Sequence, residues 1–290
     1  ITMENCDNNT ISGITITGGL PEGGYPDNSG GGIFLVTSNP TLTHVTISGN
    51  MADWGGGMHL IGSNPILMNV TIANNTATWD GGGGISFSNS NPTLTDVTIT
   101  NNTAATSGGG MFLWGSSPTL THVTISGNTA EYGGGMNLYD NCNPTLNNVS
   151  ISGNTANGGA GGGLALQSSN PTLTNSIIWD NSPQSITLWS GTALITYSDI
   201  EGDWEGEGNI DTDPLFTNPE NGDYTLQEGS PCIDTGNPNL WYQDLDGTPA
   251  DMGATGGLFV LPNFISHHFG EVGDIGSSKQ FTLYNYRETP

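Results

Sequence analysis

A phrase of twelve residues recurs six times in this chain, and its regular spacing constrains the fold more than any other feature. The phrase reads NPTLTHVTISGN at residues 39–50 and returns with small changes. The prolines of successive copies are 25, 27, 26, 26 and 27 residues apart. A fixed period of this length indicates a repeat architecture in which each repeat stacks on its neighbours.

Apolar residues occupy the same places in every period, so they form columns once the periods are stacked. They alternate with polar residues, as in strands with one buried face. The columns of the phrase are Leu42, Leu67, Leu94, Leu120, Leu146 and Leu173; Val45, Val70, Val97, Val123, Val149 and Ile177; and Ile47, Ile72, Ile99, Ile125, Ile151 and Trp179. A segment after each glycine run adds Ile33/Leu35, Met58/Leu60, Ile85/Phe87, Met111/Leu113, Met136/Leu138 and Leu164/Leu166.

The pattern predicts an all-β protein, namely a right-handed parallel β-helix solenoid with about 26 residues per coil. Each coil would hold about three short strands and advance by ~4.8 Å, so that seven or eight coils make a rod of roughly 35 Å. We expect coils over 1–196 and a C-terminal coil with an acidic cap over 197–257. Residues 258–290 would form a linker and the first strands of a truncated immunoglobulin-like module.

The asparagine that closes each phrase forms a further column. Its members are Asn50, Asn75, Asn102, Asn128, Asn154 and Asn181. Asparagine tolerates left-handed corners, and stacked asparagine side chains hydrogen-bond along a stack. We therefore interpret the column as structural, and a ligand-binding ladder is the alternative.

Two stretches of the chain resemble known families. The pattern PTLTxVTISGNTA…GGGM resembles the right-handed, pectate-lyase-like β-helix repeats of secreted bacterial surface proteins, and residues 197–254 resemble the end that commonly follows such repeats. The segment FGEVGDIGSSKQFTLYNYRETP resembles the opening strands of an immunoglobulin-like module, so we expect the protein to continue beyond Pro290. The resemblance implies a secreted, extracellular or cell-surface location and assigns no activity.

The charge of the chain excludes several classes of partner. Acidic residues number 27 and basic residues 2, and the two basic residues are Lys279 and Arg287. Nucleic-acid binding needs Lys and Arg to neutralise phosphates, so that class is excluded, and anionic membrane surfaces are disfavoured for the same reason. No apolar run is long enough for direct membrane insertion. The polysaccharide lyases that this fold resembles use Arg or Lys, so a lyase acting on an acidic polysaccharide is also disfavoured.

The glycine-rich corner after each closing asparagine varies in length, and loops that vary on a rigid scaffold are where function usually lies. An aromatic residue stands beside a carboxylate there in three coils. The pairs are Asp53 with Trp54, Trp79 with Asp80, and Glu131 with Tyr132. Aromatic faces stack on sugar rings and carboxylates bind hydroxyls, so these six residues are candidates for a glycan site. Alternatives are a glycosidase carboxylate pair in adjacent coils, or a plain turn with solvated acids.

Acidic loops near the C-terminal end are candidates for calcium ligands. The stretch DLDGTPAD at 244–251 supplies Asp244, Asp246 and Asp251, and an earlier loop supplies Asp211 and Asp213. The DxDG pattern is typical of calcium loops, although Thr255 stands where a bidentate Glu is expected. An ordinary Asp-Gly turn is the alternative. Cys6, Cys142 and Cys232 have no metal-ligand spacing and indicate no disulfide framework.

Three functional hypotheses follow. The first is an extracellular structural or adhesive rod whose partners are other copies of itself or surface and matrix components, with Ca²⁺ as a stabiliser. The second is a carbohydrate-binding or glycoside-hydrolysing protein that uses the Trp/Asp corner. The third is ice binding by outward residues such as Thr124 and Ser126. His44, Asp96 and His122 share an outward column and are interpreted as solvated edge residues.

Overall fold

The computed structural model describes residues 1–239, 242–244 and 248–256, together with the backbone of 260–262 and 283–285. It confirms the predicted all-β parallel solenoid. The described residues contain no α-helix, and a short 3-10 turn lies at Pro219–Asn221. Most of the predicted immunoglobulin-like segment, 258–290, lies outside the described residues. Among the residues described, no helix combines the length and the apolar character needed to span a membrane.

Three parallel sheets run along the stack, and we call them sheets A, B and C. Sheet A comprises β1 (Thr2–Glu4), β4 (Ile33–Val36), β8 (Met58–Ile61), β11 (Ile85–Ser88), β14 (Met111–Trp114), β17 (Met136–Tyr139), β20 (Leu164–Gln167) and β23 (Ile186–Leu188). Sheet B comprises β2 (Asp7–Ser12), β3 (Thr15–Thr17), β5 (Asn39–Thr43), β6 (Thr46–Ser48), β9 (Ile66–Ala73), β12 (Thr93–Thr100), β15 (Thr119–Ser126), β18 (Thr145–Ser152), β21 (Thr172–Thr174), β22 (Ile177–Trp179), β24 (Leu194–Thr196) and β25 (Asp199–Ile200).

Sheet C is narrower and lies in the glycine corner. It comprises β7 (Met51–Ala52), β10 (Thr76–Ala77), β13 (Thr103–Ala104), β16 (Thr129–Tyr132) and β19 (Thr155–Ala160). Two small antiparallel pairs follow the coils: β26 (Phe216–Asn218) with β27 (Asp223–Leu226), and β28 (Val260–Pro262) with β29 (Leu283–Asn285). The eight strands of sheet A are separated by seven spacings of ~4.8 Å, which gives a stack of about 34 Å.

The interior is built from the predicted apolar columns. Leu94 pairs with Leu67 on one side and with Leu120 on the other, and the valine and isoleucine columns follow the same register. The prediction is wrong in the sixth copy, where Ile178 and not Trp179 pairs with Ile151. Ile177 pairs with Ser150 and not with Val149, so the residue at the valine position of the sixth copy is a serine. The buried cluster inside the coils consists of aliphatic side chains and methionines, apart from Phe87 and Cys142.

The closing asparagines form a buried hydrogen-bonded ladder, which confirms their structural interpretation. The Nδ2 group of Asn102 donates to Oδ1 of Asn128 at 3.0 Å and to the carbonyl of Ile72 at 2.9 Å. Its own Oδ1 accepts from the backbone N–H and the side-chain amide of Asn75, at 3.0 and 2.9 Å. The left-handed residue at this corner is the one before the ladder, such as Asn101 with φ 54°, and not the ladder asparagine itself.

A second ladder of buried hydroxyl groups runs along the opposite corner. The hydroxyl of Ser90 accepts from the N–H of Ser63 at 3.0 Å, and the hydroxyl of Ser116 accepts from the N–H of Ser90 at 3.0 Å. Cys142 occupies the next place and its thiol accepts from the N–H of Ser116 at 3.3 Å. Burial raises the pKa of this thiol, so Cys142 serves as a packed hydrogen-bonding group and not as a reactive one.

The glycine corner is tight because neighbouring coils touch there through their backbones. A Cβ on Gly110 would lie 2.6 Å from the carbonyl oxygen of Gly135, and one on Gly109 would lie 2.4 Å from that of Gly134. Real Cβ atoms do not approach an oxygen so closely, so the recurring glycines are needed for coil contact.

Left-handed residues also bend every long strand of sheet B. His44, Asn69, Asp96, His122, Asn148 and Asn175 occupy this bend with φ between 51° and 56°. Asn, Asp and His adopt this conformation more readily than other side chains do, which explains the column.

The chain after the coils first closes the end of the stack and then folds back along its side. Trp204 packs against the last coil, and Ile210 donates to the carbonyl of Ser198 at 2.9 Å. Residues 248–256 lie against the outer face of sheet B, where Asn148 donates to the carbonyl of Asp251 at 2.9 Å. The interpretation of His122 as a solvated residue is wrong, because its Nε2 lies 2.8 Å from the carbonyl of Gly256 and the residue is buried.

A carboxylate is buried between the last coil and this returning segment. Asp199 has no exposed surface, and its oxygens accept from the N–H of Thr212 at 3.2 Å and from the thiol of Cys232 at 3.1 Å. Burial raises the pKa of Asp199 to about 6, helped by the nearby charges of Asp211 and Asp213. The folded protein therefore binds this proton more tightly than the unfolded chain does.

The asparagine ladder generates the first testable prediction. Substitution Asn102→Ala leaves the donors of Asn75 and the carbonyl of Ile72 without partners in a buried site, so we expect a loss of about 3 kcal/mol in the free energy of unfolding. Exposed Asn91 is the matched control, since its Oδ1 also bonds to the next coil, at the N–H of Ser117. We expect Asn91→Ala to cost under about 1 kcal/mol in the same urea titration. Equal losses would contradict a special role for burial.

The second prediction concerns pH. The stability that folding gains from the raised pKa of Asp199 is fully present below the ordinary Asp pKa of 3.8. It is lost as pH rises through the folded-state pKa of about 6. Asp199→Asn stays neutral at every pH and keeps an acceptor for Thr212. We expect the variant to gain up to about 3 kcal/mol over the natural protein near pH 7 and almost nothing below about pH 3. Urea unfolding at several pH values measures this difference, and a pH-independent difference would contradict it.

Candidate functional site

A long groove lies on the outer face of sheet A. It consists of two adjoining hollows of about 960 and 620 Å³, and both are lined by Trp54 and Trp114. The groove crosses the strands, so it runs parallel to the axis of the solenoid. From β8 to β23 it passes five strand spacings, or ~24 Å.

One wall of the groove comes from the glycine corner that precedes each strand of sheet A. Trp54, Trp79, Asp80 and Tyr132 stand on this wall. Each follows a strand of sheet C or lies at its end, and backbone contacts between coils hold those strands in place. The variable corner thus presents side chains from a fixed base.

The other wall comes from the ends of the sheet A strands and the turns that follow them. Trp114 pairs in register with Tyr139, and Tyr139 pairs with Gln167. Trp189 stands one strand further along and lines the same hollow. Phe112 and Asn137 form the floor between the walls and also pair in register.

Aromatic rings meet across and along the groove. Tyr132 contacts Trp189 edge to face, with ring centroids 5.8 Å apart. At the other end Tyr25 contacts Trp54 edge to face at 6.0 Å, and the ring of Trp54 lies over His59. Such contacts hold the rings in fixed orientations.

All the exposed large aromatic side chains among the described residues line this groove. They are Tyr25, Trp79, Trp114, Tyr139 and Trp189. Trp79 is 72 % exposed and Trp114 is 48 % exposed. Soluble proteins rarely expose a continuous row of large apolar groups unless the row contacts something. The groove is therefore the candidate functional site.

The floor column continues under Tyr25 and Trp54 with His59 and Ser86. His59 stacks on Phe34 with ring centroids 5.7 Å apart, and burial lowers its pKa to about 4, so the ring is neutral at physiological pH. The two ring nitrogens of His59 and the hydroxyl of Ser86 have no hydrogen-bond partner among the described residues. Buried polar groups without hydrogen-bond partners are uncommon in folded proteins, so these atoms are an unusual feature of the groove floor.

The structure places the six corner residues predicted from the sequence in different roles. Trp54, Trp79, Asp53, Asp80 and Tyr132 line the groove. The Asp53 carboxylate accepts hydrogen bonds from the side chains of Asn28 and Thr78, so it also braces the corner.

The remaining corner carboxylates differ in their surroundings. Glu131 is exposed, and its charge and hydrogen bonding raise the pKa of Tyr132. Asp80 is half-buried, and desolvation raises its pKa. Binding by these side chains stays a prediction.

Sequence reasoning missed the second wall. Trp114 and Tyr139 occupy matching outward positions at the ends of β14 and β17, a column that the alternation of buried residues marks. Trp189 follows β23 beyond the last full repeat, so no periodicity pointed to it.

Carboxylates gather at a second place, beside the returning segment. One oxygen each of Asp234, Asp244 and Asp251 lies within 4.8 Å of the others. Asp244 and Asp251 were predicted as calcium ligands, and Asp234 was not. Asp246 lies outside the described residues. Asp211 and Asp213 stand elsewhere, beside buried Asp199. Oxygen ligands suit Ca²⁺, and calcium binding at this cluster stays a prediction.

The stacked parallel coils define the class of protein, which is a parallel β-helix. Residues 31–200 match the family described as the right handed beta helix region. The match spans more than half of the 290 residues, so the chain belongs to the right-handed β-helix family. Searches of curated proteins and of solved structures gave no significant match.

The calcium prediction can be tested by thermal unfolding. If the cluster binds Ca²⁺, a free concentration near 100 times the dissociation constant should stabilise the folded state by about 2.7 kcal/mol, and chelation should remove the effect. Asp251→Asn should abolish the response, whereas the exposed Glu220→Gln should keep it. A melting temperature unaffected by Ca²⁺ in the natural protein would refute the prediction.

Proposed function

We propose that this protein is a glycan-binding rod of the cell exterior, which holds an extended polysaccharide chain along the groove of sheet A. The observation that carries the proposal is the concentration of exposed aromatic rings in that one groove. The apolar C–H faces of pyranose rings pack on aromatic faces, whose electrons attract the slightly positive C–H groups.

The polar lining supports the same ligand class. Thr106, Ser107, Asn137, Gln167 and Ser190 stand among the aromatic rings of the larger hollow. Hydroxyl and amide groups both donate and accept hydrogen bonds, as sugar hydroxyls do. A ligand site usually has a few convergent polar groups in a mainly apolar cleft.

The repeat of the solenoid suits a polymer better than a small molecule. Rings on the groove walls are supplied by successive coils, so they recur at multiples of ~4.8 Å. Each pyranose of an extended β-linked glycan advances by a comparable distance. A chain that lies along the axis therefore meets the same kinds of groups at each sugar.

A structural and adhesive role is part of this proposal. A stiff β-helix holds the groove straight, and a net charge of −25 keeps separate rods apart in solution. We infer that the rod works as an adhesive surface protein by attaching to glycans. The fold of the right-handed β-helix family is compatible with both surface and carbohydrate-related proteins.

Substitution of groove aromatics tests the proposed function. A glycan array on the natural protein identifies ligands, and titration calorimetry then measures their affinity for variants. We expect Trp114→Ala and Trp189→Ala each to weaken binding about tenfold or more, which corresponds to ~1.4 kcal/mol. Leu194→Ala removes an exposed apolar side chain outside the groove and should leave affinity unchanged.

The variants are valid only if they unfold at the temperature of the natural protein, which exposed substitutions should permit. An array without any bound glycan, or affinities that are insensitive to both tryptophans, would refute glycan binding in the groove.

A further inference from the structure

The ionisable side chains along the groove carry one sign of charge. Asp53 and Asp80 line it directly. Asp140 lies behind the wall, where its Oδ2 accepts from the indole N–H of Trp114 at 3.4 Å, and Glu131 adjoins Tyr132. Residues 1–278 contain no Lys or Arg, so no basic side chain of the coils balances these acids.

Among the described residues, the histidine that lies against the groove does not supply positive charge either. His59 lies beneath Tyr25 and Trp54, and burial keeps it neutral above a pKa of about 4. A ligand in the groove therefore meets aromatic faces and carboxylates together. Carboxylates attract cations by their charge, and aromatic rings also bind ammonium groups over their faces. The combination therefore favours a ligand that carries positive charge.

Unpaired acceptors add to this environment. Asn28 lines the smaller hollow, and its amide nitrogen donates to Asp53 while its Oδ1 has no partner among the described residues. Burial of such an oxygen is unfavourable unless a donor reaches it. His59, only 1 % exposed, and Ser86 are likewise unpaired in the column that forms the floor. These atoms are buried beneath the groove, so the surface that a ligand contacts is formed by the aromatic rings and the carboxylates.

The carboxylates are also distributed along the axis. Asp53 precedes β8, Asp80 precedes β11 and Glu131 precedes β17. Their spacing in coils gives steps of one and two strand distances, ~5 and ~10 Å. Successive sugars of an extended β-1,4-linked polymer present alternate edges, so amino groups two sugars apart would face the same wall, at the ~10 Å step between Asp80 and Glu131.

We propose that the preferred ligand of the groove is a cationic glycan, a β-linked polymer of hexosamine units with free amino groups. This inference rests on the proposed glycan binding and specifies its substrate class. Pyranose faces stack on the tryptophan and tyrosine rings, and protonated amines pair with Asp80 and its neighbours. Acidic glycans are rejected, because the groove offers them carboxylates and no basic side chain.

The half-burial of Asp80 makes it the strongest partner for such an amine. Desolvation raises the pKa of Asp80, which means that its charge lacks full hydration. An ammonium group restores a favourable partner to that charge. Exposed pairs contribute less, since water and salt screen them.

Four hexamers of equal length test the proposal by calorimetry at about pH 6, where ordinary carboxylates are ionised. They are the β-1,4-linked hexamer of glucosamine, its fully N-acetylated form, the hexamer of galacturonic acid and the hexamer of lysine. We expect the glucosamine hexamer to bind about tenfold more tightly than the acetylated hexamer at about 0.1 M salt, and within about twofold at ~1 M salt. The galacturonic acid and lysine hexamers should bind at least about tenfold more weakly than glucosamine.

Variants separate the charge from the stacking. Asp80→Asn should lower the ratio of glucosamine to acetylated-hexamer affinity about threefold, whereas Glu220→Gln outside the groove should leave that ratio unchanged. Trp114→Ala should weaken both sugars alike. Equal affinity for both sugars, tighter binding of galacturonic acid, or lysine binding as tight as glucosamine would overturn the proposal.

The outcomes also separate this inference from the proposed function. If the acetylated hexamer binds in a Trp114-dependent manner and glucosamine gains nothing, the cationic preference is wrong and glycan binding stands. If no sugar on the array or in the titrations binds, both are wrong.

Discussion

The buried asparagine ladder is the interaction on which the rest of the structure depends. Each amide, for example that of Asn102, bonds to the coil before it and the coil after it, so it sets both the spacing and the register of the stack. Because these bonds are shielded from water, a coil that slipped would leave several polar groups unpaired. The serine ladder repeats this constraint at the opposite corner, and the aliphatic columns fill the space between the two ladders.

A register held so firmly leaves only certain places free to change. Core positions and stacked glycines tolerate little variation, since a Cβ on Gly110 would strike the neighbouring backbone. The residues between sheet C and sheet A are not bound by either ladder, and there the coils differ in length and in side chain. Trp54 and Asp80 stand at these variable places and Tyr132 ends a strand of sheet C, on a backbone that the ladders keep still. The proposed glycan site thus owes its order to the asparagine ladder that adjoins the glycine corner.

The other face of the rod is treated differently. The returning segment covers the outer side of sheet B near its end, where Ser150 accepts from the N–H of Ala254 at 2.9 Å. The threonine face predicted for ice binding is therefore interrupted by the protein's own chain. Phe216, Tyr224, Cys232 and Met252 make a second small core there with Ile177. A residue that departs from the repeat, Ile177 in place of a polar one, is the sequence's sign of that contact.

Repetition in the sequence was enough to determine the coil, its apolar core and the structural role of Asn102 and its fellows, because identical neighbours must meet once coils stack. It also identified the corner that carries Trp54 and Asp80. It could not determine what meets that corner from elsewhere in the coil. Trp114, Tyr139 and Trp189 join the groove because the end of one strand lies opposite the start of another across a sheet. Likewise Asp234 joins Asp244 and Asp251, and His122 reaches Gly256, only because the chain turns back on itself. Periodicity reports contacts between repeats, whereas contacts made by non-repeating segments depend on the path of the folded chain.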